Sequence, residues 1–254
     1  MYRRARQQLR WGAGWLSCKA ALQVMSGENV SIVIPVLNDL MVLKALLPGL
    51  QAHRGAGHEV IVVDGGSTDG SVTYARVFAD RVLMTGTGRG SQMNLGAANA
   101  RHDILLFLHA DSLLPREGIA GILKALGNAG QHWGRFDVRL DAPGIAYGVI
   151  ASLMNLRSRL TGVATGDQGI FVRKPVFLEA GGYQSIPLME DVALSKTLCR
   201  HSWPVCLDTR LVTSARRWQQ NGIAGTVLLM WGLRLAYFLG VDPERLARIY
   251  HRDG

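Results

Sequence analysis

Residues Ile104–Ser112 read ILLFLHADS: five apolar residues in unbroken succession, then His109-Ala110-Asp111. An apolar run without alternation suits a strand covered on both faces, as in a parallel sheet packed between helices. Such sheets present their working residues just past the carboxyl ends of the strands. Asp111 falls at that position, with Ser112 behind it and Pro115 near the start of the next helix. Two readings stand side by side: an acid facing a ligand, or a turn aspartate capping the helix that opens near Pro115.

Toward the N-terminus, Val30–Pro35 (VSIVIP) predicts a first strand stopped by its proline. Asp39 is placed to cap a helix carrying Leu43, Leu46, Leu47 and Leu50 on one side. Glu59–Val63 predicts a second strand that ends at Asp64, followed by the loop GGSTDGS, Gly65–Ser71. Arg81–Met84 forms a third, and GTGRGSQMNLGAANA then leads into a helix of small residues over Arg89–Ala100. That loop is not a dinucleotide fingerprint, because Ser91 stands where GxGxxG needs glycine, and no GxxxxGK[ST] occurs. Arg89 and Gln92 are candidates to touch a phosphate or a sugar.

Toward the C-terminus a helix is expected over Arg116–Leu126 and a strand over Trp133–Leu140, completing the pattern of an open parallel α/β sheet. A helix over Ile145–Leu160, the loop TGVATGDQG, a strand Ile170–Arg173 and a short helix after Pro175 follow. Glu190-Asp191 open a helix ending near Arg200. Ile223–Val241 is long enough to consider a membrane span. Arg234 near its middle would cost roughly 2.5–3.5 kcal/mol there. A helix packed on the domain or lying in an interface, with Thr226, Met230, Arg234 and Tyr237 along one stripe, is preferred.

The chain has 254 residues, 48% hydrophobic and 19% charged, which fits a folded protein with a sizeable core. Its net charge of +9 favours anionic partners. No basic recognition helix or zinc-finger spacing appears, so nucleic acid is not expected. Cys18, Cys199 and Cys206 form no CxxC pair and read as reduced thiols of a cytoplasmic protein. Residues 1–28 hold Arg3, Arg4, Arg6, Arg10 and Lys19 without a sustained apolar stretch, so no secretory signal is expected. They read either as a basic amphipathic helix with Trp11, Trp15 and Leu22 on its apolar side, or, preferred, as a loosely ordered extension with Met25 nearer the true start. The organisation expected is a basic extension over 1–28, a catalytic domain over 29–219 and an apolar, basic helical tail over 220–254.

Four segments taken in order, SIVIPVLND, VIVVDGGSTDGS, FLHADS and PLMEDV, resemble the family 2 glycosyltransferases from about Val30 to Arg216-Arg217-Trp218. The resemblance implies the GT-A fold: an α/β protein with a mostly parallel open sheet flanked by helices, followed here by C-terminal helices. It is most similar to a small bacterial subgroup with FLHAD and SARRW, associated with arsenosugar genes or with radical-SAM and selenoprotein-type genes.

The resemblance also implies a site. Asp64 maps onto the aspartate that contacts the nucleotide base, with Gly65 where a second acid is usual. Pro35, Asn38, Asp39, Gly66 and Ser67 line the same donor pocket, with Arg89, Gln92, His109 and Asp111. Asp111 takes the last position of the DxD motif and would bind a divalent cation, Mg or Mn. His109 replaces its first aspartate, a departure that lowers the negative charge at the metal. Glu190-Asp191 map onto the acidic pair that supplies the general base, Asp191. Adjacent carboxylates repel, which raises one pKa; the alternative role for both is to stabilise a helix N-terminus. Gly166, Asp167 and Gln168 are expected in the sugar or acceptor floor, and Arg217-Trp218 at the acceptor. Ser214 in place of the glutamine of QxxRW argues against polymer synthesis.

The expected activity is metal-dependent, inverting, non-processive transfer from a nucleotide-diphosphate sugar to a hydroxyl of a small or lipid-linked acceptor. Peripheral contact with the anionic inner face of the cell membrane is part of that expectation. The competing readings are a catalytically silent, membrane-associated sugar-nucleotide-binding protein and, less well supported, a nucleotidyltransferase. The latter needs a glycine-rich basic loop where Pro35-Val36-Leu37-Asn38 stands.

Overall fold

The computed structural model describes residues 28–86 and 88–252. The expectations for Arg3 to Met25, including the amphipathic alternative and Cys18, lie outside the described residues. Four parallel strands form one half of the sheet, in the order β3 (Arg81–Met84), β2 (Glu59–Asp64), β1 (Val30–Val36) and β4 (Ile104–Phe107). β1 sends Ile32 and Ile34 into one apolar layer and Val33 into the other. β4 divides Ile104 and Leu106 from Leu105 and Phe107 in the same way. Burial on both faces is why these runs carry no polar alternation.

The other half of the sheet is mixed. β7 (Ile170–Arg173) lies antiparallel to β4, and β6 (Trp133–Leu140) lies antiparallel to β7. β8 (Val205–Thr213) then runs parallel to β6, and β5 (Ser112–Leu113) closes the edge antiparallel to β8. β6 is therefore not the next strand beside β4, because β7 is inserted between them. β5 and β8 are additions to the expected elements. β8 exposes Asp208 and Arg210 between the more buried Leu207, Thr209 and Leu211, the alternation of a strand with one wet face.

The helices are α1 (Leu40–Leu46), which continues through a 3-10 turn into α2 (Gln51–Gly55), then α3 (Ser71–Phe78), α4 (Arg89–Asn99) and α5 (Gly118–Leu126). They are followed by α6 (Ile145–Thr161), α7 (Lys174–Glu179), α8 (Glu190–Leu198), α9 (Arg216–Asn221), α10 (Ile223–Phe238) and α11 (Pro243–Arg252). The small residues of α4 do allow close approach: a Cβ at Gly96 would collide with Val33 of β1.

Three local expectations are corrected. Pro35 does not stop β1, which runs on to Val36; Pro35 lies past the end of the β4 ladder and pairs only with Val63 of β2. Asp39 stands at the start of α1, yet its side chain makes no cap bond. The Leu40 N–H donates instead to Asp69 Oδ2 at 2.9 Å, across from the loop after β2. Asp111 caps nothing either, since α5 begins at Gly118 with Glu117 in the cap position. That leaves the acid at the end of β4 available to a ligand.

Among the described residues no helix is long and apolar enough to cross a membrane. The tail packs inward instead: Leu233 of α10 and Leu246 of α11 join Val163, Met189 and Val192 in one apolar cluster.

Candidate functional site

The site lies at the carboxyl ends of β1, β2 and β4. Asp64 ends β2 almost fully buried, and its Oδ2 accepts the N–H groups of Gly66 and Ser67, both at 2.8 Å. Its Oδ1 is buried with no hydrogen-bond partner among the described residues. A buried acceptor left unpaired points to a missing donor. Asn38, at φ +53°, clasps this loop: its N–H donates to Ser67 Oγ and its Oδ1 accepts the Thr68 N–H, both at 2.8 Å. Gln92 is brought under the loop rather than onto its surface. Its amide donates to Val36 O and Val63 O, each at 2.8 Å, and so straps β1 to β2.

Beyond β4, the Leu108 N–H bonds Val33 O and the Ser112 N–H closes a turn onto His109 O, both at 3.0 Å. That turn presents His109 and Asp111 on one side. The 3-10 turn Gly166–Gln168, held by a reciprocal capping box between Thr165 and Gln168, presents Asp167 opposite them. Ligand atoms of His109, Asp111 and Asp167 all lie within 4.8 Å of one another. His109 Nδ1 is 3.5 Å from Asp167 Oδ1. A Cβ at residue 166 would enter the His109 ring, so only glycine lets the two turns meet.

Burial, and then the charge of Asp167, push the Asp111 carboxyl above its ordinary range, against the pull of His109 and Arg89. For Asp167 burial also works upward, but His109, Arg89 and Arg234 outweigh it and hold the group below its ordinary range. One imidazole and two mutually repelling carboxylates form a donor set that a divalent cation would relieve. The residues therefore fit the metal expected on Asp111, and they add Asp167 to it.

Met189, buried and at φ +70°, turns the chain into α8 and sets Glu190 and Asp191 in its first turn. Asp191 Oδ2 accepts the Gly166 N–H at 2.9 Å and Oδ1 accepts the Val192 N–H at 2.7 Å. Asp191 is thereby tied to the turn that carries Asp167. The pKa of Glu190 rises, through burial first and the Asp191 charge second. Arg89 Nη1 stands 3.7 Å from Glu190 Oε1.

Three arginines, Arg89, Arg157 and Arg234, feel the charge of these acids. In Arg89 burial works downward, yet Glu190 and further acids hold it above its ordinary value. Arg157 of α6 is pushed down to about 10 by burial and then by Arg234 of α10, which burial itself lowers. Arg217 lies over the Tyr250 ring, 4.1 Å from its centroid. Trp218, expected beside it at the acceptor, packs against Leu140, Ile150 and Ala215. Arg157 escaped the sequence reading, and Arg234 was read there only as a helix residue. The available signal was arginine set in leucine-rich helices: Arg157 and Arg159 in α6 and Arg234 in α10.

Several known proteins are similar. The PGL/p-HBAD biosynthesis glycosyltransferase of Mycobacterium bovis (strain BCG / Pasteur 1173P2) is 35% identical over 111 residues, 41% of this chain and 43% of that protein. The chain thus aligns with less than half the length of that relative. Among solved structures, S. aureus TarS 1-349 in complex with UDP superposes with a TM-score of 0.59 at 17% identity, covering 73% of this chain and 60% of that one. Glucosyl-3-phosphoglycerate synthase from Mycobacterium tuberculosis, in complex with Mn2+, UDP-Glc and phosphoglyceric acid, gives 0.57 at 18% identity over 82% and 77%. At such identities the likeness is one of fold, and the fold is GT-A. Residues 31–171, more than half of the chain, match glycosyl transferase family 2, and with the DxD-like and Glu-Asp acids converging beyond the strand ends, the protein belongs to that family.

Proposed function

We propose that the protein moves a sugar from a nucleotide-diphosphate donor to an acceptor hydroxyl by a metal-dependent, inverting, non-processive displacement. One observation carries this reading: the Gly166 N–H bond to Asp191 places a carboxylate one residue from the His109–Asp111–Asp167 cluster. Asp64 Oδ1 is free to accept an N–H of the base, while Asn38, Gly66 and Ser67 flank the nucleoside. His109, Asp111 and Asp167 would hold Mg or Mn, which when bound neutralises charge on the leaving diphosphate.

Arg89 offers a second cation to the diphosphate. The acceptor oxygen bonds to the anomeric carbon as the carbon–diphosphate bond breaks on the opposite face, and the hydroxyl proton passes to Asp191. Burial and the Asp191 charge raise the pKa of Glu190, so it holds its proton more tightly than a free glutamate beside that base. Ser214 in place of a glutamine supports transfer of single sugars.

The proposal keeps the division into a catalytic unit over 29–219, a tail over 220–254 and a basic extension, with contact at the inner face of the cell membrane. The free Cys199 and Cys206 suit a cytoplasmic location. The subgroup resemblance, with its arsenosugar and radical-SAM association, is also part of the proposal and suggests the first acceptors to try.

The test is nucleoside diphosphate release from UDP-, GDP- and dTDP-sugars with Mn, Mg or EDTA, and the anomeric configuration of the product. Asp191→Asn is expected to lower transfer by about 10²–10⁴-fold and to keep nucleotide–metal binding. Full activity in that variant, or in EDTA, overturns the assignment.

A further inference from the structure

Among the described residues, Arg157 and Arg234 have no carboxylate at ion-pair distance. Arg157 Nε and Nη2 are buried without a hydrogen-bond partner among the described residues. Arg234 forms no hydrogen bond or ion pair among them either. Arg157, with two guanidinium nitrogens buried and unpaired, feels the charge of Arg234, and a fold retains such a like-charge pair at a cost unless an anion joins it.

Their placement says which anion. Arg157 lies one turn before the end of α6, whose continuation, Val163 to Thr165, runs directly into Gly166, the residue bonded to Asp191. Arg234 follows Leu233, which packs on Val163, Met189 and Val192 around the Glu190-Asp191 pair. The carboxylate acting most strongly on both arginines is Asp191, with Asp167 next. Arg89 is the arginine that acts on Asp111 and Glu190, at the donor end.

We infer that the acceptor carries an anionic group, a phosphate ester, seated between Arg157 and Arg234 beside the hydroxyl that Asp191 deprotonates. The inference rests on the reading of Asp191 as the acceptor base. Guanidinium pairs bind phosphate oxygens bidentately, which fixes orientation as well as charge. Leu156 and Leu235, neighbours of the two arginines, are 51% and 62% exposed, so the ester can belong to a soluble molecule or to a lipid headgroup.

Titration calorimetry of the full chain in EDTA, with glycerol 3-phosphate against glycerol, tests the soluble source. Sedimentation with phosphatidylcholine vesicles, with and without phosphatidic acid, tests the lipid one. Binding of either phosphate ester, weakened tenfold or more by Arg157→Gln and by Arg234→Gln, is expected. Melting temperatures should hold or rise, because each variant removes a half-buried cation that has no ion-pair partner among the described residues. Affinity for UDP–Mn or GDP–Mn and the effect of Arg89→Gln on phosphate-ester binding should both stay within twofold. Arg157→Lys should bind with intermediate strength.

Absence of binding in both arms, binding unchanged in the Arg157 and Arg234 variants, or loss of nucleotide–metal affinity in those variants overturns the inference. The two readings fail separately. Donor turnover without phosphate-ester binding removes the anion site alone; ester binding that meets these criteria in a chain that turns over no donor upholds the site and removes the catalytic reading.

Discussion

At residue 166 the absence of a side chain decides whether the site assembles. His109 and Asp167 come from segments far apart in sequence, and the imidazole occupies the space a Cβ at Gly166 would need. Gly166→Ala must displace the ring, at about 1–3 kcal/mol by analogy with overpacked cores, or open the turn that carries Asp167. We expect Mn affinity to fall tenfold or more and the melting temperature to drop. A Mn titration of the alanine variant with an unchanged midpoint would show that the turn and the ring do not meet. Asp111 was legible in the sequence because an uninterrupted apolar strand announces its own end. Asp167 as a candidate metal partner was not. It becomes a neighbour of His109 only because β7 is inserted antiparallel to β4 with Ile170 opposite Phe107, which sets the residues just before one strand against those just after the other. Periodicity predicts strands, not which of them become neighbours.

At the scale of elements, the parallel half of the sheet is held at its rear by a buried acid that the sequence alone did not single out. Glu59, at the start of β2 and fully buried, accepts Ser31 Oγ at 2.6 Å, the Arg101 N–H at 2.8 Å and Arg101 Nε at 2.8 Å. Burial pushes its pKa upward, but Arg101 and Ser31 outweigh burial and hold it below the ordinary 4.5. A carboxyl with a depressed folded pKa contributes stability that is present above the unfolded pKa and is lost as pH falls through the folded one. Urea melts of Glu59→Gln are therefore expected to lose about 2 kcal/mol at pH 7 and to show a shallower decline below pH 4.5 than the parent. Parallel acid slopes in the two proteins would remove Glu59 from this role. The runs of β1, β2 and β4 were readable since both their faces are apolar. β8 was not predicted because Asp208 and Arg210 interrupt its apolar run, although their alternate spacing marks the wet face of a strand.

At the scale of the molecule, two helices that border the site carry largely exposed apolar faces, interrupted on α10 by Lys196, whose ammonium lies 4.0 Å from the Phe238 ring centroid. On α6, Ile145, Val149, Leu153, Leu156 and Leu160 are exposed at helical spacing; on α10, Leu228, Trp231, Leu235 and Phe238 are. The length of the Ile223–Val241 run pointed to the second face from sequence, but α6 was read only as a helix. Its stripe emerges once the opposite side is seen to hold Ile150 and Ala151. An apolar face on a protein of net charge +9 suits an anionic bilayer surface. Each large side chain moved out of water contributes about 1.5 kcal/mol at the low end, so the joint substitution Trp231→Ser with Leu235→Ser should lower partitioning onto phosphatidylglycerol vesicles at least tenfold. Because Trp231 and Leu235 are exposed, the melting temperature should not move. Added salt should weaken the parent's binding by screening the basic residues. If the doubly substituted chain sediments with the vesicles as the parent does, these faces meet something other than lipid.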